Sequence, residues 1–329
     1  MRVYNQYGRR DNKYKARIKI LVKALGVEEF TRLVEAEWLD LKDSPSTLTT
    51  EEMSRVAAYF TPPAYEALES IDPRAGHADN KAFANWLARN VKPHKVPGYA
   101  IVLLSLKKTG VPPGDATAVQ IDFVADLAER YSFGELRVTH EQNLVLADVK
   151  QAALFTLWQE IKAYGLATPN IGLLTDIICC PGGDFCSLAN AKSIPIAAAI
   201  AERFDNIDFQ HDIGEIELNI SGCINACGHH HVGSIGVLGV DKDGSEFYQV
   251  SIGGAQGNNS AIGKIIGPSF SALQMPEVID RLLQVYVRER TEDERFVDTA
   301  QRLGIAPFKE HVYATPIKAG NLVGEDHYA

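Results

Sequence analysis

All five cysteines of this 329-residue chain fall between positions 179 and 227. Cysteines used as ordinary core residues scatter, so a cluster of this kind means that separate stretches of chain fold back toward one point. Cys180-Pro-Gly-Gly-Asp-Phe-Cys186 has the spacing C-x5-C, and Cys223-Ile-Asn-Ala-Cys227 the spacing C-x3-C. Each pair follows a run that reads as a strand, and each sits where the chain turns, with Gly182 and Gly183, then Gly222 and Gly228, alongside. Glycine there lets backbone approach a bulky group and frees amides to point at sulfur. Four thiolates from two loops can enclose a tetrahedral centre.

Several chemistries compete for that centre. An odd cysteine count leaves one thiol over in any disulfide scheme, and a reducing compartment disfavours disulfides altogether. A thioredoxin-like redox pair needs C-x-x-C, which is absent. Structural zinc prefers tighter knuckles than an x5 loop, whereas a [4Fe–4S] cluster takes four cysteines and accepts wider loops. The spacing favours the cluster and leaves zinc as the alternative. Cys180 is preferred over its neighbour Cys179 because the Pro-Gly-Gly turn follows it directly. His229, His230 and His231 cannot all face one centre from a strand or a helix. One of them is expected to pack near the cofactor with the others solvated or hydrogen-bonded, and proton donation by His230 or a neighbour is the alternative.

The formal charge of −9 argues against a generic nucleic-acid binder, which needs a basic face. The N-terminal stretch is basic but has no apolar core or cleavage site of a signal peptide. No apolar run approaches the ~20 residues that span a bilayer. A cytoplasmic protein with neither nucleic-acid nor membrane partners is expected.

Along the chain, apolar residues at helical spacing on both sides of Gly26 predict two helices or one broken one over 14–39. Thr49-Thr50-Glu51-Glu52 is a capping-box pattern that opens a further helix, and another is predicted over 79–89. After Pro97-Gly98 the order changes: a strand over 99–107, a helix over 115–131, strands over 135–139 and 143–149, and a helix over 151–164. That βαββα order is a ferredoxin-like unit. From about 171 come an apolar run, a helix near 194–204, a strand over 215–221, a hairpin across Asp243-Gly244, and helices near 276–290 and 293–303. The expected fold class is α+β, in three parts: a helical segment (1–95), a ferredoxin-like half-domain (96–166) and an α+β lobe with the cysteines (167–329). Gly257-x5-Gly263-Lys264 only echoes a phosphate loop, since it has one residue too many and Ile265 where Ser or Thr is needed.

The pair "CPGGDFCSLANAKSIPIA" and "SGCINACGHHHVGSIGVLG" resembles the paired cluster motif of the sirohaem-containing nitrite and sulfite reductases. "GELRVTHEQNLVLADV" is similar to that family's second ferredoxin-like half-domain, and "GRRDNKYKARIKILVKALG" to the basic helical segment before it. The resemblance implies a [4Fe–4S] cluster on Cys180, Cys186, Cys223 and Cys227, with Cys227 also bridging to a sirohaem and so taking part in catalysis. It implies contacts to that haem from Asn225, Arg10, Lys13 and Arg17, with Arg9 and Lys15 as further basic candidates, and places Arg137 and Gln142 as fasteners of the domain. The implied reaction is the six-electron reduction of sulfite to sulfide or nitrite to ammonia, with electrons from a ferredoxin or a flavoprotein reductase.

Members of that family are generally duplicated, and this chain resembles only the C-terminal half and the segment before it. The expectation is a portion of a longer reductase, or a half-sized subunit completed by a chain that supplies the missing first half. The alternative is a non-catalytic module in which an iron–sulfur cluster or zinc staples the fold or relays electrons.

Overall fold

Gly26 breaks the first long helical pattern. Its backbone, at φ +81° and ψ 156°, is one that side chains rarely permit, and its N–H closes the preceding helix on Val22. The computed structural model describes residues 1–317 and groups residues 1–64 as one unit. That unit contains α1 (Arg2–Tyr7), α2 (Ile18–Leu25), α3 (Val27–Leu41) and α4 (Thr50–Ala58). The capping box expected at α4 forms by half. Thr49 Oγ1 accepts the Glu52 N–H at 3.2 Å, but the Glu52 carboxylate turns to Arg55 at 2.7 Å instead of back to the cap. The charged partner outcompetes a backbone amide for an exposed carboxylate. Val3 and Leu21 are this unit's buried apolar residues.

The second unit begins at Tyr65. Its first elements are α5 (Lys81–Asn90), β1 (Val91–Pro93), β2 (Tyr99–Leu104), α6 (Ala118–Tyr131), β3 (Arg137–Val138), β4 (Leu144–Lys150) and α7 (Leu154–Ala163). The expected βαββα order is present from β2 to α7. The strands form an antiparallel sheet in the order β1-β2-β4-β3. The edge position beside β2 is thus filled by a strand that precedes the unit in sequence. Phe83 and Trp86 of α5 join Val102, Leu127, Leu146 and Leu157 in this sheet's core.

The remaining elements are β5 (Ile178–Cys179), α8 (Ile194–Arg203), α9 (Ile207–Ile213), β6 (Leu218–Ser221), β7 (Ile235–Lys242), β8 (Ser245–Ile252), β9 (Lys264–Ile265), α10 (Met275–Glu289), α11 (Phe296–Leu303) and α12 (Ala306–Tyr313). A second sheet runs β5-β6-β7-β8-β9, parallel across its first three strands and antiparallel across the rest. The β7–β8 hairpin turns at Asp243 and Gly244, both at positive φ, as the two-residue loop requires. The apolar run "IGLLTDIICC" yields only two residues of strand; successive turns at Leu173 and Asp176 occupy the rest. Residues of the expected third part beyond 317 lie outside the described residues. Among the described residues no helix is long and apolar enough to cross a membrane.

Candidate metal–sulfur site

β5 and β6 run parallel with Cys179 opposite Ile220, and both cysteine loops leave the carboxyl ends of these strands. In sheets of parallel strands that end is where ligands gather. Strand alternation separates the adjacent cysteines. Cys179 belongs to the lobe's apolar core, and burial drives its thiol pKa well above the usual range. Its Sγ donates to the Cys180 carbonyl at 3.2 Å. Cys180 is half-buried, and its Sγ accepts the Gly222 N–H at 3.1 Å and lies 3.6 Å from Ser193 Oγ.

The two loops are stitched together by backbone. Asn190 and Ala191 donate to the Gly222 carbonyl at 2.8 and 3.1 Å, and Cys186 donates to Gly182 at 2.9 Å within its own loop. Gly222 has no room for a side chain: a Cβ there would come within 2.7 Å of Ala191 O and 2.8 Å of Gly182 Cα. At Gly228 the conflict is greater, 2.0 Å from Ile220 O. The second loop is tightly wound, with Ala226 and His229 both at positive φ. Cys223 is buried, Cys186 half-buried, and Cys227 and Asn225 exposed. All four cysteines are free thiols. Among the described residues no three His, Cys, Asp or Glu side chains converge as the shell of a single ion would need. Phe185, Leu188 and Ile224 on these same loops are 70–82% exposed, apolar side chains that the cysteine spacing did not reveal.

The histidines divide by exposure. His229 and His231 face solvent, while His230 is buried and stacked on His231 with ring centroids 4.2 Å apart. Its Nδ1 has no partner, and burial, with the His231 charge second, pushes its pKa down to about 4. One histidine thus packs inward and the other two are solvated.

The basic candidates Arg9, Arg10, Lys13, Lys15 and Arg17 lie in and beside the connection between α1 and α2, all exposed. Three of them bond within their own segment. Arg9 pairs with Asp11 and holds that carboxyl down at about 2. Arg10 sits over the Tyr4 ring at 4.5 Å, and Arg17 donates to the carbonyls of Lys13 and Ala16. In the second unit Arg137 pairs with Glu135 on the surface, whereas Gln142 reaches the backbone of Cys179.

Residues 1–40 and 173–318 match the family described as the nitrite and sulphite reductase 4Fe-4S domain. Residues 108–164 match the nitrite/sulfite reductase ferredoxin-like half domain. A ferredoxin sulfite reductase of Mycolicibacterium paratuberculosis is 27% identical over 91% of this chain and 49% of its own length. An assimilatory ferredoxin-dependent nitrite reductase of Haloferax mediterranei is 26% identical over 96% of this chain and 50% of its own. The solved structure of the Mycobacterium tuberculosis NirA protein superposes with a TM-score of 0.58 at 27% identity, over 90% of this chain and 49% of that one. A dissimilatory sulfite reductase, DsrI, shares the fold at 13% identity, with a TM-score of 0.54 over 70% of this chain and 72% of its own. The chain spans about half the length of the curated relatives it matches. With its cysteine loops, its half-domain and most of its length matched together, the chain belongs to the nitrite and sulphite reductase family.

Proposed function

We propose that this chain is the cofactor-bearing part of a ferredoxin-dependent reductase of sulfite or nitrite. The observation that carries the reading is the Gly222 amide aimed at Cys180 Sγ across two loops that leave neighbouring parallel strands. Four thiols are the donor set of an iron–sulfur cluster, and glycines too crowded to bear a Cβ fit loops wrapped closely about one. Cys180, Cys186, Cys223 and Cys227 would hold the cluster. Exposed Cys227 and Asn225 suit a neighbouring sirohaem, on whose ring the exposed Phe185, Leu188 and Ile224 of the same loops would pack. When bound, cluster and haem would relay the six electrons of the reduction one at a time from the external donor to the anion, whose oxygen leaves as water on protonation.

The chain's own residues do the rest. The Gly222 N–H offsets negative charge on the Cys180 sulfur, which raises the potential at which the site accepts an electron. Gly228, wedged against Ile220, fixes the backbone beside Cys227 so that this sulfur is held at the loop's outer turn. Cys179 is kept out of the ligand set by its burial in the core. Arg10, Lys13 and Arg17 are assigned to the carboxylates of the haem, and the remaining anion-binding cations to the portion of the relatives' length that this chain does not match, in the same or a partner chain.

Anaerobic preparation tests this. We expect four iron and four acid-labile sulfide per chain, and haem-type absorption bands once sirohaem is supplied. Cys227→Ser is expected to abolish the haem bands and lower the iron content. Protein that holds zinc without iron, or a Cys227→Ser variant with unchanged bands and iron, overturns the reading.

A further inference from the structure

β5 is the edge strand of its sheet and only two residues long. An edge leaves outward-pointing N–H and C=O groups without a ladder. On the inner side Cys180 donates to the Ile220 carbonyl at 3.1 Å, as pairing with β6 dictates. On the outer side the Cys179 N–H donates to Gln142 Oε1 at 2.9 Å, and Gln142 Nε2 donates to the Cys179 carbonyl at 2.8 Å. One side chain stands in for a missing strand. Two residues earlier, Lys107 Nζ donates to the Ile177 carbonyl at 2.6 Å, held 3.6 Å from Asp176. The outer edge of β5 is therefore closed by two side chains of the ferredoxin-like half-domain.

The carbonyl that Gln142 grips belongs to the peptide unit joining Cys179 to Cys180, and the N–H of that same planar unit is bonded to Ile220. Clamped on both edges, the unit sets the direction in which Cys180 leaves the strand. Gln142 itself is held at φ +60°, an uncommon conformation for a residue with a side chain. Its N–H closes a turn on Thr139 at 3.2 Å. Gly114 packs so closely that an added Cβ would come 2.9 Å from the Gln142 Cβ. A strained backbone is retained where it delivers both ends of one amide to the residue preceding a cysteine ligand.

We infer that Gln142 is a positioning residue for Cys180, by which the half-domain sets the place of the first sulfur of the cluster. The inference rests on the proposed ligand set. Its test combines two readouts on the full chain: amide hydrogen exchange at Cys180 and Gly222 without metal, and iron loss to a chelator after anaerobic reconstitution. Gln142→Ala is expected to speed exchange at both amides and to shorten cluster lifetime about tenfold or more, the usual scale for partners of metal ligands, while α10 exchanges as before. Gln142→Glu keeps the acceptor and loses the donor, so it should fall between, and it serves if the alanine variant does not fold. Arg137→Ala, on the same half-domain but away from β5, should change neither readout. Unchanged exchange and iron loss in both Gln142 variants overturn the inference. So does exchange that rises equally in α10, which would mean a general loss of stability. Should the unmodified chain take up no iron, the cluster reading fails, while exchange in the metal-free chain still decides what Gln142 does.

Discussion

Residues 1–64 and the unit that begins at Tyr65 are built from the same kinds of helix, yet they are stabilised differently. In the first, Val3 and Leu21 are buried, while Trp38, Leu39, Tyr59 and Phe60 are more than half exposed. Its order rests on short-range features such as the Gly26 break, the Thr49 cap and the exposed pairs Glu29–Arg32 and Glu52–Arg55, together with surface bonds from Arg2 and Gln6 to Glu37. In the second, helices are fixed by contacts distant in sequence, with Phe83, Trp86, Leu127 and Leu157 fully buried around one sheet. Amphipathic pattern alone does not distinguish the two cases. What separates them is whether the apolar face has found a partner.

Two tryptophans put that contrast to its hardest test. Trp86 is wholly buried and Trp38 is 58% exposed. Trp86→Ala should cost about 3–5 kcal/mol in denaturant unfolding, and Trp38→Ala should stay within about 0.5 kcal/mol. Trp86→Phe should be far milder than the alanine change, because the buried indole N–H has no acceptor to lose. A large cost at Trp38 would show that the first unit's apolar face is covered in solution.

The next effect depends on pH. His230 is pushed below its ordinary value of 6.5 to about 4, first by burial and then by the neighbouring His231 charge. The folded chain binds that proton more weakly than the unfolded one. The contribution is therefore intact above pH 6.5 and is lost as pH falls through 4. Metal-free protein should lose at most about 3 kcal/mol from this group across that window, and His230→Phe should flatten the slope. The first unit holds no counterpart, since Asp11, lowered to about 2 by Arg9, is fully exposed. An unchanged pH slope in the His230→Phe variant would mean that the imidazole is solvated in solution.

The cysteine loops were legible because the chemistry demands particular residue types at set spacings, and Gly222 and Gly228 announce the crowding the structure displays. Strand alternation explains why the side chain of Cys180 leaves the core that holds Cys179, although the sequence favoured Cys180 on the turn after it alone. The βαββα order followed from periodicity, but not the origin of its edge strand, since three residues around Lys92 carry no pattern. A short element such as α9, at seven residues, gives only about two turns in which a period can stand out. The resemblance marked Gln142 as a fastener, but its partner Cys179 could not be read. Their amide pair joins residues 37 positions apart through a side chain, and no local rule foretells such a bridge.

The smallest effect compares two caps of the same chemistry. Thr117 Oγ1 accepts the Gln120 N–H at 3.2 Å and Gln120 Oε1 accepts the Thr117 N–H at 2.9 Å, a complete box at the start of α6. Thr49 makes only the first of these bonds. α6 buries Val124 and Leu127, so fraying at its start is felt by the whole unit, and Thr117→Ala should cost about 1 kcal/mol of global stability. α4 buries nothing, so Thr49→Ala should lower helix content slightly and move the unfolding midpoint by no more than a few tenths of a kcal/mol. Circular dichroism at 222 nm and denaturant midpoints on both variants separate local from global loss. If Thr49→Ala shifts the midpoint as far as Thr117→Ala, the first unit unfolds in the same cooperative step as the second, and its sparse burial is not a measure of its stability.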